Sequence, residues 1–158
     1  ESPETCPGIF TYTGGHMKKV LFICGHNSGR SQMAEALLAK MGGSEFTVKS
    51  AGLQPADTVN PLVLTVMQEL GIDMSGHTPK SAFDLFKAGE LFTHVVTVCD
   101  KETDENCPIY PGIQKRENWP FPDPEKLTGT HEEKLAQLRK IRGDIKNRIA
   151  EYFGLTDC

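Results

Sequence analysis

No apolar run in this 158-residue chain approaches the roughly 20 residues that a bilayer-spanning helix needs. The chain also lacks the positive excess that draws a protein to nucleic acid or anionic lipid. Its 17 Lys and Arg stand against 21 Asp and Glu, for a formal net charge of −4. Neither a nucleic-acid nor a membrane partner is expected. An anion bound here must be held locally, by backbone amides and one or two arginines. Cysteine is sparse and odd in number, five in all, so the thiols cannot all pair within one chain. A chain of this length builds a core without staples, which disfavours a secreted disulfide scaffold and favours reactive thiols in the cytoplasm. No further cysteine-pair spacing completes a four-ligand zinc set, and the nucleotide loop G-x-x-x-x-G-K-[ST] is absent. There is no internal repeat and no low-complexity tract.

What is there is the composition of an ordinary globular domain, 38% hydrophobic and 24% charged. Residues 1–16 have no basic start, no long apolar stretch and no amphipathic period. They read as a disordered leader rather than a signal peptide, with Cys6 inside it, and residues 17–158 as a single domain. The run KKVLFIC (18–24) suits a strand buried on both faces. From Arg30 the apolar positions Met33, Leu37, Leu38 and Met41 follow helical spacing, and Gly42-Gly43 end the helix. FTVKSAG (46–52) reads as a second strand. NPLVLTVMQELG (60–71) reads as a helix capped by Asn60, with Pro61 in its first turn and Gly71 as terminator. A short helix over 81–90, a third buried strand over 92–99 and a Pro- and Gly-rich loop over 100–113 follow. QKRENW then suits a short last strand. The terminal helix opens on a Thr130/Glu133 capping box and carries Leu135, Leu138, Ile141, Ile145, Ile149 and Phe153 on one face. Alternating strands and helices indicate an α/β fold with a parallel sheet.

The chemistry concentrates where the first strand meets the first helix. A tight loop between a strand and a helix N-terminus points successive N–H groups into one concavity that suits a tetrahedral oxyanion. Gly25 and Gly29 are expected to supply the backbone freedom, with His26, Asn27 and Ser28 between them as candidate contacts. For His26 a solvent-facing ring is the simpler reading. Arg30 can add a bidentate contact to the anion, and Ser31 can donate its hydroxyl to Cys24. Cys24 then sits where amides, helix dipole and guanidinium all favour a thiolate, which makes it a nucleophile.

The stretch VLFICGHNSGRSQMAEALL resembles the C-x5-R-S anion loop of the low-molecular-weight protein tyrosine phosphatase superfamily. Its SQMAE continuation (31–35) is the form typical of the thioredoxin-coupled arsenate reductases; the phosphatases usually carry proline where Gln32 stands. VKSAG (48–52), ELGIDMSGHT (69–78), VVTVCDKETDENCP (95–108) and KRENWPFPDP (115–124) follow in the same order as in those reductases. The resemblance spans about residues 17–153. It implies a three-layer sandwich around a four-stranded parallel sheet of flavodoxin-like order 2-1-3-4. In that order the ends of the first and third strands, with Cys24 and Cys99, are neighbours.

The resemblance also implies a function. Arsenate would be reduced to arsenite through Cys24, Cys99 and Cys107, with Asp123 protonating the leaving oxygen. No cofactor is implied. Thioredoxin or a similar thiol carrier would recycle the oxidised pair, and a monomer is expected. Seven residues separate Cys99 from Cys107, one more than the family often has. Many relatives carry a cysteine where Gly29 stands. Many also bind potassium through groups matching Asn27, Glu35, Ser50 and a downstream aspartate, which is Lys80 in this chain, so that its ammonium would replace the ion. Taken singly, Cys99 reads as a buried strand residue, Cys107 as a loop thiol and Asp123 as part of a turn. Two other readings stand beside the reductase. One is a phosphotyrosine phosphatase acting through a Cys24 phosphoenzyme, and the other is a non-catalytic oxyanion or redox sensor.

Overall fold

The computed structural model describes residues 18–99 and 115–155. The expected leader with Cys6, the 100–113 loop, Cys107 and Cys158 lie outside the described residues. Four parallel strands form the sheet: β1 (Lys18–Cys24), β2 (Phe46–Gly52), β3 (His94–Thr97) and β4 (Lys115–Asn118). Their order is β2-β1-β3-β4, as the resemblance implied. The register Cys24↔Gly52 and Ile23↔Thr97 brings the carboxyl ends of β1, β2 and β3 to one rim.

Both faces of the sheet are covered, which is why β1 reads as an unbroken apolar run. Val20, Phe22 and Cys24 point into a core shared with α1 (Arg30–Gly42), α2 (Pro61–Gln68) and the terminal helix α4 (His131–Phe153). Leu21 and Ile23 point the other way, to a smaller core with Ala82 of α3 (Ala82–Lys87), Phe92 and Val95. The start and stop signals act locally, as the sequence reads. Asn60 Oδ1 accepts the Leu62 N–H at 2.9 Å, Gly43 ends α1 with φ +60°, and Thr130 and Glu133 form the reciprocal box that starts α4. On α4 the positions Leu135, Leu138, Ile141, Ile145 and Ile149 are buried.

Three elements are shorter than expected. Helix α2 stops at Gln68, and α3 covers only Ala82–Lys87. The third strand ends at Thr97, so Cys99 lies two residues past it rather than in it. The physical reason is that β4 ends at Asn118, which pairs with Thr97. Beyond that point the Asn118 side chain takes over from the ladder: its Nδ2 donates to Thr97 Oγ1 at 2.8 Å and to the Cys99 carbonyl at 3.1 Å.

Glu69, just past α2, fastens that helix to α4. Arg139 forks onto its carboxylate, with Nη2 at 2.8 Å, and Arg142 Nη1 reaches it at 2.9 Å. Hydrogen bonds from these two guanidiniums lower the Glu69 pKa from 4.5 to about 2. A carboxyl whose folded-state value is depressed adds stability above its unfolded value and loses it as pH falls toward the folded one. Urea unfolding of wild type and Glu69→Gln at intervals below pH 4.5 checks this. Wild type should lose part of its stability between pH 4.5 and about 2 that the variant, lacking the titration, does not lose.

Candidate active site

The loop over residues 25–29 owes its shape to its carbonyls. The Cys24, Gly25, His26 and Ser28 carbonyls accept the N–H groups of Leu53, Gln54, Ala56 and Asn60, at 3.2, 2.8, 2.9 and 2.8 Å. The Asn27 carbonyl is taken by Gln32 Nε2 at 3.2 Å. In a trans peptide the N–H of the next residue points opposite to the carbonyl. Five carbonyls held outward therefore turn the N–H groups of Gly25, His26, Asn27, Ser28 and Gly29 inward. The Asn27 N–H bears this out by donating to Cys24 Sγ at 3.1 Å. Pro55, which has no N–H, falls where the run 53–60 skips a donor.

The sulfur itself is buried, and it lies 2.9 Å from Ser31 Oγ at the start of α1. Arg30 Nη1 donates to the Phe121 carbonyl at 3.0 Å, and Nη2 lies 3.8 Å from Asp123 Oδ2. The segment after β4 thus positions both the guanidinium and the carboxylate at the mouth. Asp123 caps a turn of 3-10 helix, with its Oδ1 accepting the Glu125 N–H at 2.9 Å. A narrow cavity runs from Cys24 out past His26, Ser28, Arg30 and Asp123. His26 is exposed, and its Nδ1 lies 2.9 Å from the Gln54 carbonyl.

One expectation about this loop changes. The backbone freedom was assigned to Gly25 and Gly29, but the residue with positive φ here is Asn27, at +53°. Asparagine tolerates that region because its short polar side chain bonds locally. Gly29 matters instead for space, since a Cβ there would stand 3.0 Å from Pro124 Cγ. The thiols were expected to share one rim, and Cys99 Sγ is buried 3.8 Å from the Ile23 carbonyl, next to Cys24 in the chain. The walls of the mouth include Cys24 and not Cys99.

The candidate potassium ligands do not fit a metal ion. Asn27 Oδ1 already accepts the Lys80 N–H at 2.8 Å and Gln32 Nε2 at 3.1 Å. The Ser50 hydroxyl donates to Glu35 Oε1, and the Lys80 ammonium lies 3.9 Å from that same oxygen. Lys80 Nζ also donates to the Thr78 carbonyl at 3.2 Å. The Lys80 ammonium therefore already stands beside the Glu35 carboxylate.

Sequence reasoning missed four contributors: the 53–60 run, Gly52, Gln32 and Asn118. Gly52 carried a signal as the glycine of VKSAG, and Gln32 as the residue that stands where the phosphatases have proline, but neither was given a role. A Cβ on Gly52 would lie 2.8 Å from Asn27 N and 2.9 Å from the Gly25 carbonyl oxygen, backbone that has little room to yield.

A sequence profile described as "Low molecular weight phosphotyrosine protein phosphatase" matches residues 19–156. A protein of Bacillus subtilis named arsenate reductase is 40% identical over 136 residues, 85% of this chain and 94% of that one. A solved structure titled as an arsenate reductase in the oxidized state superposes with a TM-score of 0.72 at 31% identity, covering 85% of this chain and 95% of its own. A thioredoxin-dependent arsenate reductase of Corynebacterium glutamicum gives 0.67 at 32% identity, over 93% of this chain and 65% of its own.

Gly52→Ala tests whether the loop's shape makes the anion site. Overpacking against backbone costs about 1–3 kcal/mol, so phosphate affinity measured by calorimetry should fall about fivefold or more in a chain that still folds. Unchanged affinity would separate the loop from the anion.

Proposed function

The chain belongs to the low molecular weight phosphotyrosine protein phosphatase family, and from that premise we propose that it is an arsenate reductase working through three thiols. Arsenate sits on the amides of residues 25–29, with Arg30 on two of its oxygens. Cys24 attacks arsenic as the thiolate, Asp123 gives a proton to the departing oxygen, and water leaves. Cys99 then attacks the Cys24 sulfur. A sulfur–sulfur bond forms, the sulfur–arsenic bond breaks, and its electron pair stays on arsenic, which departs as arsenite. Cys107 attacks the Cys99 sulfur and expels Cys24 as thiolate. An external dithiol carrier of the thioredoxin class, acting in the cytoplasm, reduces the Cys99–Cys107 disulfide. Lys80 supplies in this scheme the positive charge that a metal ion would otherwise bring to Glu35.

The observation that supports the reading best is that two buried thiols lie at the carboxyl ends of neighbouring strands. Cys24 Sγ lies 2.9 Å from Ser31 Oγ and accepts the Asn27 N–H, and Cys99 Sγ lies 3.8 Å from the carbonyl of the residue before Cys24. A phosphatase needs the first sulfur and has no use for the second.

Adding arsenate to the reduced protein without external reductant distinguishes the readings. Two thiols per chain should disappear and one arsenite should be released. Cys99→Ser should abolish arsenite release while sparing slow hydrolysis of an aryl phosphate. A thiol count unchanged by arsenate would contradict the proposal.

A further inference from the structure

We infer that Gln32 and His77 are positioning residues for Cys24, the outer links of a hydrogen-bond chain in which every proton points toward the sulfur. Gln32 is fully buried on α1. Its Nε2 lies 3.1 Å from the Thr78 carbonyl, 3.2 Å from the Asn27 carbonyl and 3.1 Å from Asn27 Oδ1. Backbone carbonyls only accept, so the amide must turn its NH2 to them and its oxygen away. That oxygen faces His77 Nδ1 at 3.1 Å. An amide oxygen cannot donate, so Nδ1 of His77 carries the proton.

The same logic fixes the inner half. Asn27 Oδ1 is held by the Lys80 backbone N–H at 2.8 Å, so its NH2 faces Ser31 Oγ at 2.7 Å. Ser31 accepts there, which leaves its single hydroxyl proton for Cys24 Sγ at 2.9 Å. Two backbone groups of one short segment, the Thr78 carbonyl and the Lys80 N–H, thus dictate both amide orientations. The direction His77 → Gln32 → Asn27 → Ser31 → Cys24 follows from them. Amides do not hand a proton along, so the chain acts by alignment: each donor polarises the next and holds the Ser31 hydroxyl on the sulfur. His77 is itself seated in the turn after α2, its backbone N–H donating to the Met74 carbonyl at 3.0 Å. Without its ring N–H, the buried Gln32 oxygen is left without that donor and the alignment loosens at its far end.

This inference rests on Cys24 being the reacting thiol and not on which oxyanion it attacks. The test therefore omits arsenate. Reduced full-length protein is alkylated with iodoacetamide at fixed neutral pH, and modification is followed on the Cys24 peptide by mass spectrometry. His77→Ala should slow Cys24 alkylation about fivefold, the scale of one hydrogen bond. His77→Asn, whose amide N–H can stand where Nδ1 stood, should return the rate to within about twofold of wild type. A His77→Ala rate equal to wild type, or a His77→Asn rate as slow as His77→Ala, would overturn the assignment. In unmodified protein, nitrogen NMR followed upward in pH until the His77 ring carries a single proton should find that proton on Nδ1. The proton on Nε2 would reverse the chain and end the proposal. Failure of arsenate reduction with these results intact would count against the reductase reading alone.

Discussion

Five outward-facing carbonyls shape the loop over residues 25–29, and most of the proposed chemistry follows from them. A peptide plane is rigid, so an oxygen held outside the loop obliges the next N–H to face inside. The donors that hold these oxygens come chiefly from the irregular run after β2, at Leu53, Gln54, Ala56 and Asn60. The loop is therefore shaped by its neighbour rather than by its own glycines. The loop's left-handed residue, Asn27, is fixed on both sides of its amide, by the Lys80 N–H and by Ser31. A cradle ordered before the anion arrives needs little reorganisation when charge develops on it.

The fold supplies the means of bringing these pieces together. Because β1 lies between β2 and β3, its carboxyl end has the 53–60 run on one side and Cys99 on the other. Strand β4 adds Asn118, which holds the Cys99 carbonyl, and the segment beyond it brings Phe121 and Asp123 onto Arg30. Each strand thus delivers one component to the same rim, as open α/β sheets do where strand order reverses. Lys80 belongs to this convergence too. Its N–H orients Asn27, and its ammonium approaches Glu35, so one residue serves the loop through backbone and side chain together.

Much of this was legible in the sequence wherever the signal is local. The buried run of β1, the Asn60 and Thr130 caps and the apolar stripe of α4 act over a few residues, and each appears as read. Cys24, Arg30, Ser31 and Asp123 were legible as a set through the motif, and the structure brings them together. The 53–60 run was not legible, because it works through backbone N–H groups that leave no mark on side-chain identity. Gln32 was legible as a mark of the reductases but not in its role, which lies in three oxygens that come from the loop and from residue 78, far away in sequence. The end of β3 was misplaced because apolar residues continue through Val98 and Cys99 after the partner strand has stopped. Hydrophobicity marks burial there and not pairing.

The central claim, that the amides of residues 25–29 converge on one anion site above Cys24, is tested most directly by nitrogen–proton NMR of the reduced protein titrated with inorganic phosphate. The account predicts that the Gly25, His26, Ser28 and Gly29 amide protons move downfield together along one saturation curve and exchange more slowly with solvent. Saturable shifts confined to other segments, with these four resonances unmoved, would contradict it.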